Sequence, residues 1–146
     1  MAVYTATEKD TKKLFVYGSL MDGFFNYKKS LEGKVTFRAA GKVQGLLYHQ
    51  DNKGYPAIVP GEGWVKGELL EVDDYEKIIT ICDEIERYTG PGHPDNEYER
   101  RVSTVELENG ETCFAQVYWY ARNDLESDEN PATPIPSGDW RDHMGK

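Results

Sequence analysis

Apolar positions along the chain fall into two kinds of pattern. Short runs and alternations mark strands, and one stretch repeats at helical spacing. Lys13–Tyr17 is a brief apolar run closed by Gly18-Ser19-Leu20, which predicts a buried strand stopped by a tight turn. Gly23–Leu31 fits a short helix or a loop ended by Gly33. Lys34–Gln50 is strand-like, and Gly41 and Gly45 inside it predict bulges or a sharp bend. After the turn Asp51-Asn52-Lys53-Gly54 come a short extended piece, Tyr55–Pro60, and a separate strand, Trp64–Val72. Tyr98–Leu107 and Thr112–Ala121 flank Asn109-Gly110, a hairpin signal.

One helix is predicted. Asp73 fits an N-cap, and Glu76 three residues on completes a capping box. The helix runs to about Tyr88, before Gly90-Pro91-Gly92. At about 100° per residue, Tyr75, Ile78, Ile79, Cys82 and Ile85 share one stripe, the core face. Glu76, Lys77, Glu84 and Arg87 lie away from it, and Asp83 sits on its border. Thr89–Asn96 holds four Gly/Pro and is a loop. Two ends are predicted irregular: the polar Met1–Lys12, and residues 122–146, which show no period, carry three prolines and an acidic stretch from Asp124 to Glu129, and wrap the body. One helix among about six strand-like segments gives an α+β class, and the strand glycines favour a strongly bent sheet or small barrel.

Length changes this picture little: 146 residues make a single domain, 1–146, able to fold without disulfide or metal. Charge changes it more. Seventeen Lys plus Arg against 26 Asp plus Glu leave a net charge of −9, which disfavours nucleic acid or an anionic membrane as partner. The longest apolar runs are too short to span a membrane, and Met1–Lys12 has no apolar core of signal-peptide length. Cys82 and Cys113 form no C-x-x-C and match no zinc spacing, so no metal is expected, and two thiols fit a reducing, cytoplasmic setting.

Two features carry candidate chemistry. Glu86 projects between the directions of Tyr75 and Ile79, inside the apolar stripe. Either it bends out at the helix end and pairs with an arginine, or it is partly buried. Burial would raise its proton affinity toward the range where a carboxylate takes and returns a proton. The second is Tyr17-Gly18-Ser19-Leu20. A glycine directly after a buried strand is either a plain turn or a nest of N–H groups that holds an anion such as a carboxylate or phosphate. It is neither a P-loop nor a dinucleotide fingerprint. Ser19 lacks a G-x-S-x-G elbow, and His49, His93 and His143 give no triad. Glu84 and Glu86 do not form a glycosidase pair, because positions i and i+2 on a helix point apart.

Taken together, these features resemble the gamma-glutamylcyclotransferase-like superfamily, in its avirulence-induced-gene-like and gamma-glutamylamine cyclotransferase branch. Phe15-Val16-Tyr17-Gly18-Ser19-Leu20 is similar to its opening strand and substrate loop, with Asn26 and Leu31 at family positions. Gly41–Tyr48, Tyr55-Pro56-Ala57 and Val65–Leu69 resemble its middle strands, Cys82–Glu86 its helix ending in the catalytic Glu, and Tyr98-Glu99-Arg100 its Tyr-x-Arg strand start. Cys82 stands where the family usually has Leu, and Met21-Asp22 where a basic residue is common.

The resemblance implies a small, mixed, mostly antiparallel β-barrel with one main flanking helix. It also implies a small-molecule gamma-glutamyl substrate cyclised to 5-oxoproline, with no cofactor. Glu86 would be the catalytic base and acid; Gly18, Ser19 and Leu20 would bind an anionic oxygen; Tyr17 and Tyr98 would line the pocket. Tyr118 and Tyr120, on one face of a strand, are further lining candidates. The rivals are a non-catalytic binding module using the same pocket and an interaction protein using the acidic tail. The leaving amine and the oligomeric state are open at this level.

Overall fold

A computed structural model of the chain describes residues 11–146. Strands β1 (Leu14–Val16), β2 (Val35–Gln50), β3 (Pro56–Val72), β4 (Tyr98–Leu107), β5 (Thr112–Tyr120) and β6 (Ala132–Pro134) alternate with helices α1 (Phe25–Ser30), α2 (Tyr75–Ile85) and α3 (Trp140–His143). The strand order is β3-β1-β5-β4-β2, and β2 pairs β3 again, so five strands close into a barrel; β6 adds to β2 outside it. All pairings are antiparallel except β1 with β5. The class is therefore the expected α+β with a mixed, mostly antiparallel barrel.

Closure depends on the length of β2. It runs beside β3 for most of its length, and Gly41-Lys42 also meet Leu107-Glu106 of β4 on its other edge. Side chains that alternate inward fill the barrel: Val43 and Leu47, Val65 and Leu69, Val105, Ala115 and Val117 are all buried. Each large one contributes roughly 1.5–3 kcal/mol by leaving water. On β3, a Cβ at Gly67 would lie 2.2 Å from the Val16 carbonyl oxygen, so only glycine lets β1 and β3 approach there.

Three expectations about β3 and α2 are corrected. Tyr55–Pro60 and Trp64–Val72 are not separate pieces but one strand, β3. Val59 pairs Leu46 and Trp64 pairs Gln44, so Pro60–Gly63 bulges opposite the single residue Gly45. The prolyl residue, which lacks an N–H, sits where the ladder is already open. The capping box does not form. Asp73 donates its N–H to Lys34 O (2.8 Å), which keeps it in the sheet, and Asp74 becomes the N-cap with no side-chain cap. The helix also ends at Ile85, before the expected Tyr88. Its stripe holds: Ile78, Ile79 and Cys82 are buried, and Tyr75 and Ile85 pack against the core.

Residues 122–146 are not irregular throughout. They supply β6 and α3, anchored by the buried Ile135 and Trp140 and by the Lys66 N–H on Gly138 O (2.7 Å). Of the segment Met1–Lys12, all but Thr11 and Lys12 lies outside the described residues. Among the described residues, no helix is long and apolar enough to cross a membrane.

Candidate active site

A cavity of about 180 Å³ opens where the end of β1, the start of β3, the end of α2 and the start of β4 converge. Its lining includes the six residues to which the resemblance assigns a role: Tyr17, Gly18, Ser19, Leu20, Glu86 and Tyr98. Of the two further tyrosines, Tyr118 lines it and Tyr120 does not. Tyr120 instead donates to Asp124 (2.7 Å), a contact that fixes the start of the acidic stretch against the body.

Glu86 enters the cavity as the C-cap of α2. Its N–H donates to Cys82 O (2.9 Å), Arg87 N–H to Glu84 O (3.2 Å) and Tyr88 N–H to Asp83 O (2.9 Å). This is the Schellman arrangement, with Arg87 left-handed at φ 55 in the place that glycine usually takes. The residue as a whole is partly exposed, but its carboxyl end is enclosed. Burial is the main reason that its proton affinity is pushed up to about 8, with smaller contributions from the charges of Glu97 and Asp83. Cys82 beside it, buried first and next to Glu86 second, is pushed up to about 12 and stays a thiol.

The Gly18–Leu20 turn lines the same cavity. Met21 N–H donates to Gly18 O (2.9 Å) and Asn26 N–H to Ser19 O (3.0 Å), while Asn26 Nδ2 donates to Ser19 Oγ (2.7 Å). The N–H groups of Gly18, Ser19 and Leu20 donate to no acceptor among the described residues. Gly18 is required by close approach rather than by an unusual φ, because Pro56 packs against it.

The tyrosines form walls rather than free donors. Tyr17 donates to Tyr118 O (2.6 Å), and Tyr98 donates to Pro56 O while accepting from Gln50 Nε2 (2.9 Å). Burial first holds both phenols protonated, well above their ordinary range; Glu86 adds to this at Tyr17, and Tyr17 and then Glu86 add to it at Tyr98. Gln50 Oε1 accepts from Asn130 (2.9 Å), so the C-terminal segment braces this wall.

Two acidic residues of the site escaped the sequence reading. Glu97 lines the cavity with its side chain 6% exposed, accepting from Tyr55 OH (2.6 Å) and Lys53 Nζ (3.2 Å). It precedes β4 in a loop-like stretch, and its partners come from other parts of the chain, so no periodicity marks it. Asp83 lies behind the wall, taking Arg100 bidentately (2.8 and 3.2 Å) and Tyr118 OH (2.6 Å). The Asp83→Asn change strands half-buried Arg100, and a loss of about 2–3 kcal/mol is expected by urea unfolding at pH 7. A loss below about 0.5 kcal/mol would show that the pair is surface decoration.

A larger hollow of about 440 Å³ lies elsewhere, against Lys42, Lys66, Glu106 and Arg141, and contains none of these candidates. Among the described residues, no group of three or more His, Cys, Asp or Glu is placed to hold a metal.

An enclosed carboxyl and a turn with unpaired main-chain N–H groups thus line one small cavity, an arrangement whose parts can exchange a proton and hold an anionic oxygen. The profile of the family described as "Gamma-glutamyl cyclotransferase, AIG2-like" matches residues 14–142. A gamma-L-glutamyl-butirosin B gamma-glutamyl cyclotransferase of Niallia circulans is 37% identical over 111 residues, 76% of this chain and 68% of that protein. A putative gamma-glutamylcyclotransferase of Methanocaldococcus jannaschii is 32% identical over 139 residues, 90% of this chain and 98% of that protein. The crystal structure of an AIG2-like protein from Mus musculus superposes with a TM-score of 0.63 at 27% identity, covering 83% of this chain and 84% of that one. The chain belongs to the gamma-glutamyl cyclotransferase, AIG2-like family and is an enzyme. That membership decides against a purely non-catalytic binding module.

Proposed function

We propose that the protein cyclises a gamma-glutamyl amide to 5-oxoproline and releases the amine. One observation carries this reading: Glu86 and the unpaired amides of Gly18, Ser19 and Leu20 open onto one cavity. The amides hold an anionic oxygen, of the substrate's α-carboxylate or of the developing tetrahedral centre. Glu86 takes a proton from the α-ammonium. The freed amine attacks the γ-carbonyl carbon, a C–N bond closes the five-membered ring, and the bond to the leaving nitrogen breaks. Glu86 returns its proton to that nitrogen, and the second proton, shed by the ring nitrogen as it becomes the lactam N–H, passes to the released amine, which leaves as its ammonium. The nucleophile belongs to the substrate, so the protein's task is to fold it into a reactive pose, where proximity supplies on the order of 7 kcal/mol or more. The rings of Tyr17 and Tyr98 provide the rigid walls for that pose. The free thiols of Cys82 and Cys113 suit a cytoplasmic setting.

The test is direct. Purified protein is incubated with several gamma-glutamyl amides, and 5-oxoproline and amine are quantified by mass spectrometry. Equal amounts of the two are expected. Below about pH 8, kcat/KM should fall about tenfold per unit, because free Glu86 then holds its proton and cannot accept the substrate's. Release of glutamate in place of 5-oxoproline, or no product from any amide, defeats the reading.

A further inference from the structure

Arg87 occupies a backbone position that its side chain makes costly. At φ 55 it fills the left-handed C′ site of the Schellman turn, which disfavours any residue other than glycine. Strain of this kind persists only where the surrounding structure holds it, and it clusters at active sites. The Arg87 side chain is 75% exposed at the cavity rim, and its one ion pair among the described residues is a long one, Nε to Glu97 Oε1 at 3.8 Å. That same carboxylate is already taken by Lys53 and Tyr55. Lys53 holds Glu97 directly and also sits near Asp124, so the Glu97 carboxylate is largely satisfied without Arg87. Most of the exposed Arg87 guanidinium fork is left unpaired among the described residues.

The cavity's size says what reaches that fork. About 180 Å³ is small beside the roughly 300–1,000 Å³ of ordinary ligand pockets. It suits the gamma-glutamyl group, whose α-carboxylate and α-ammonium are engaged inside, and the substituent on the leaving nitrogen emerges at the rim. We propose that Arg87 is a specificity-determining residue that pairs with a carboxylate carried by the leaving amine. Gamma-glutamyl amino acids and peptides are then favoured over gamma-glutamyl amines. A planar guanidinium matches a carboxylate through two parallel hydrogen bonds, which a neutral amide cannot reproduce. This inference rests on the cyclotransferase reading.

Two substrates of nearly equal shape separate the claims: gamma-glutamylglycine and gamma-glutamylglycinamide. The protein is expected to favour the first by about fivefold or more in kcat/KM, with the preference shrinking at 0.5 M NaCl. In Arg87→Gly, which suits the left-handed backbone, the two substrates should become equal to within about twofold. Arg87→Asn, also tolerant of that conformation, should behave alike, and Arg87→Lys should keep part of the preference. Equal turnover of both by the unaltered protein, or an equal loss on both in Arg87→Gly, overturns the proposal. If neither substrate is cyclised, the cyclotransferase reading has failed, and calorimetry on Glu86→Gln decides recognition alone. Tighter binding of the glycine compound that disappears in Glu86→Gln/Arg87→Gly upholds Arg87's role; equal or undetectable binding of both removes it.

Discussion

Glutamine at position 86 is expected to lower kcat for 5-oxoproline formation by about 10³ and, at alkaline pH, to make the protein more stable. The catalytic loss follows from the role assigned to Glu86. An amide of the same shape holds its place in the cavity but cannot take the α-ammonium proton or return it to the leaving nitrogen, and acid–base groups contribute about 10²–10⁴. The gain in stability follows from where the carboxyl sits. In the folded chain its pKa is about 8, against an ordinary value of 4.5. Below about pH 4.5 both folded and unfolded states hold the proton, and Glu86 contributes nothing. Between 4.5 and 8 the unfolded chain gives up its proton while the folded chain keeps it, so stability falls as pH rises. Above about 8 the penalty is complete. A shift of that size corresponds to at most about 4–5 kcal/mol, and water reaching an open cavity reduces it to about 2–4. Thermal unfolding of Glu86→Gln should therefore exceed that of the unaltered protein at pH 8.5 and match it at pH 4.5. Equal melting at both pH values would mean that the carboxyl is not enclosed. Retained 5-oxoproline formation would mean that the proton travels elsewhere.

The same residue shows what a sequence can and cannot convey about such a site. That Glu86 points inward is legible, because helical spacing places it between Tyr75 and Ile79, and Ile79 is indeed buried. That α2 stops at Ile85 is not legible, because the stop is made by Arg87 in a conformation its residue type disfavours. The nearest glycine in sequence, Gly90, points to a later end. The β4–β5 hairpin is legible from Asn109-Gly110, a local turn. By contrast, the continuity of β3 through Pro60–Gly63 exists only because β2 offers Gly45 across the bulge. Burial of Glu97 likewise depends on Lys53 and Tyr55 arriving from the other side of the cavity. Local chemistry and period are written along the chain; partners across the barrel are not, and they tune the carboxylate. The C-terminal segment is a further case. Its isolated apolar residues, Ile135 and Trp140, have no period, yet both are buried on the barrel.

Alanine at position 18 is expected to reduce kcat/KM by about 10² and stability by about 1–3 kcal/mol, although it adds one methyl group and removes no functional atom. The added Cβ would stand 2.4 Å from Pro56 Cγ and 3.1 Å from Cδ, far inside contact distance. One side must yield. Pro56 is buried at the start of β3, and its carbonyl receives the Tyr98 hydroxyl, which Gln50 and Asn130 brace in turn. The Gly18–Leu20 turn is held more lightly, by Met21, Asn26 and the Asn26–Ser19 side-chain bond. The turn therefore moves, and with it the three N–H groups that would hold the substrate's anionic oxygen. A misplacement of roughly 1 Å in such donors costs about a hundredfold in rate, and overpacking a filled site costs about 1–3 kcal/mol. The cause can be isolated by a double-mutant cycle. Pro56→Ala removes the Cγ and Cδ atoms that collide, so Gly18→Ala/Pro56→Ala should recover at least about tenfold of the lost kcat/KM despite carrying two changes. If the double variant is only the product of the two single losses, the collision is not the reason glycine is needed. Full activity in Gly18→Ala alone would show that the turn's amides take no part in holding the substrate.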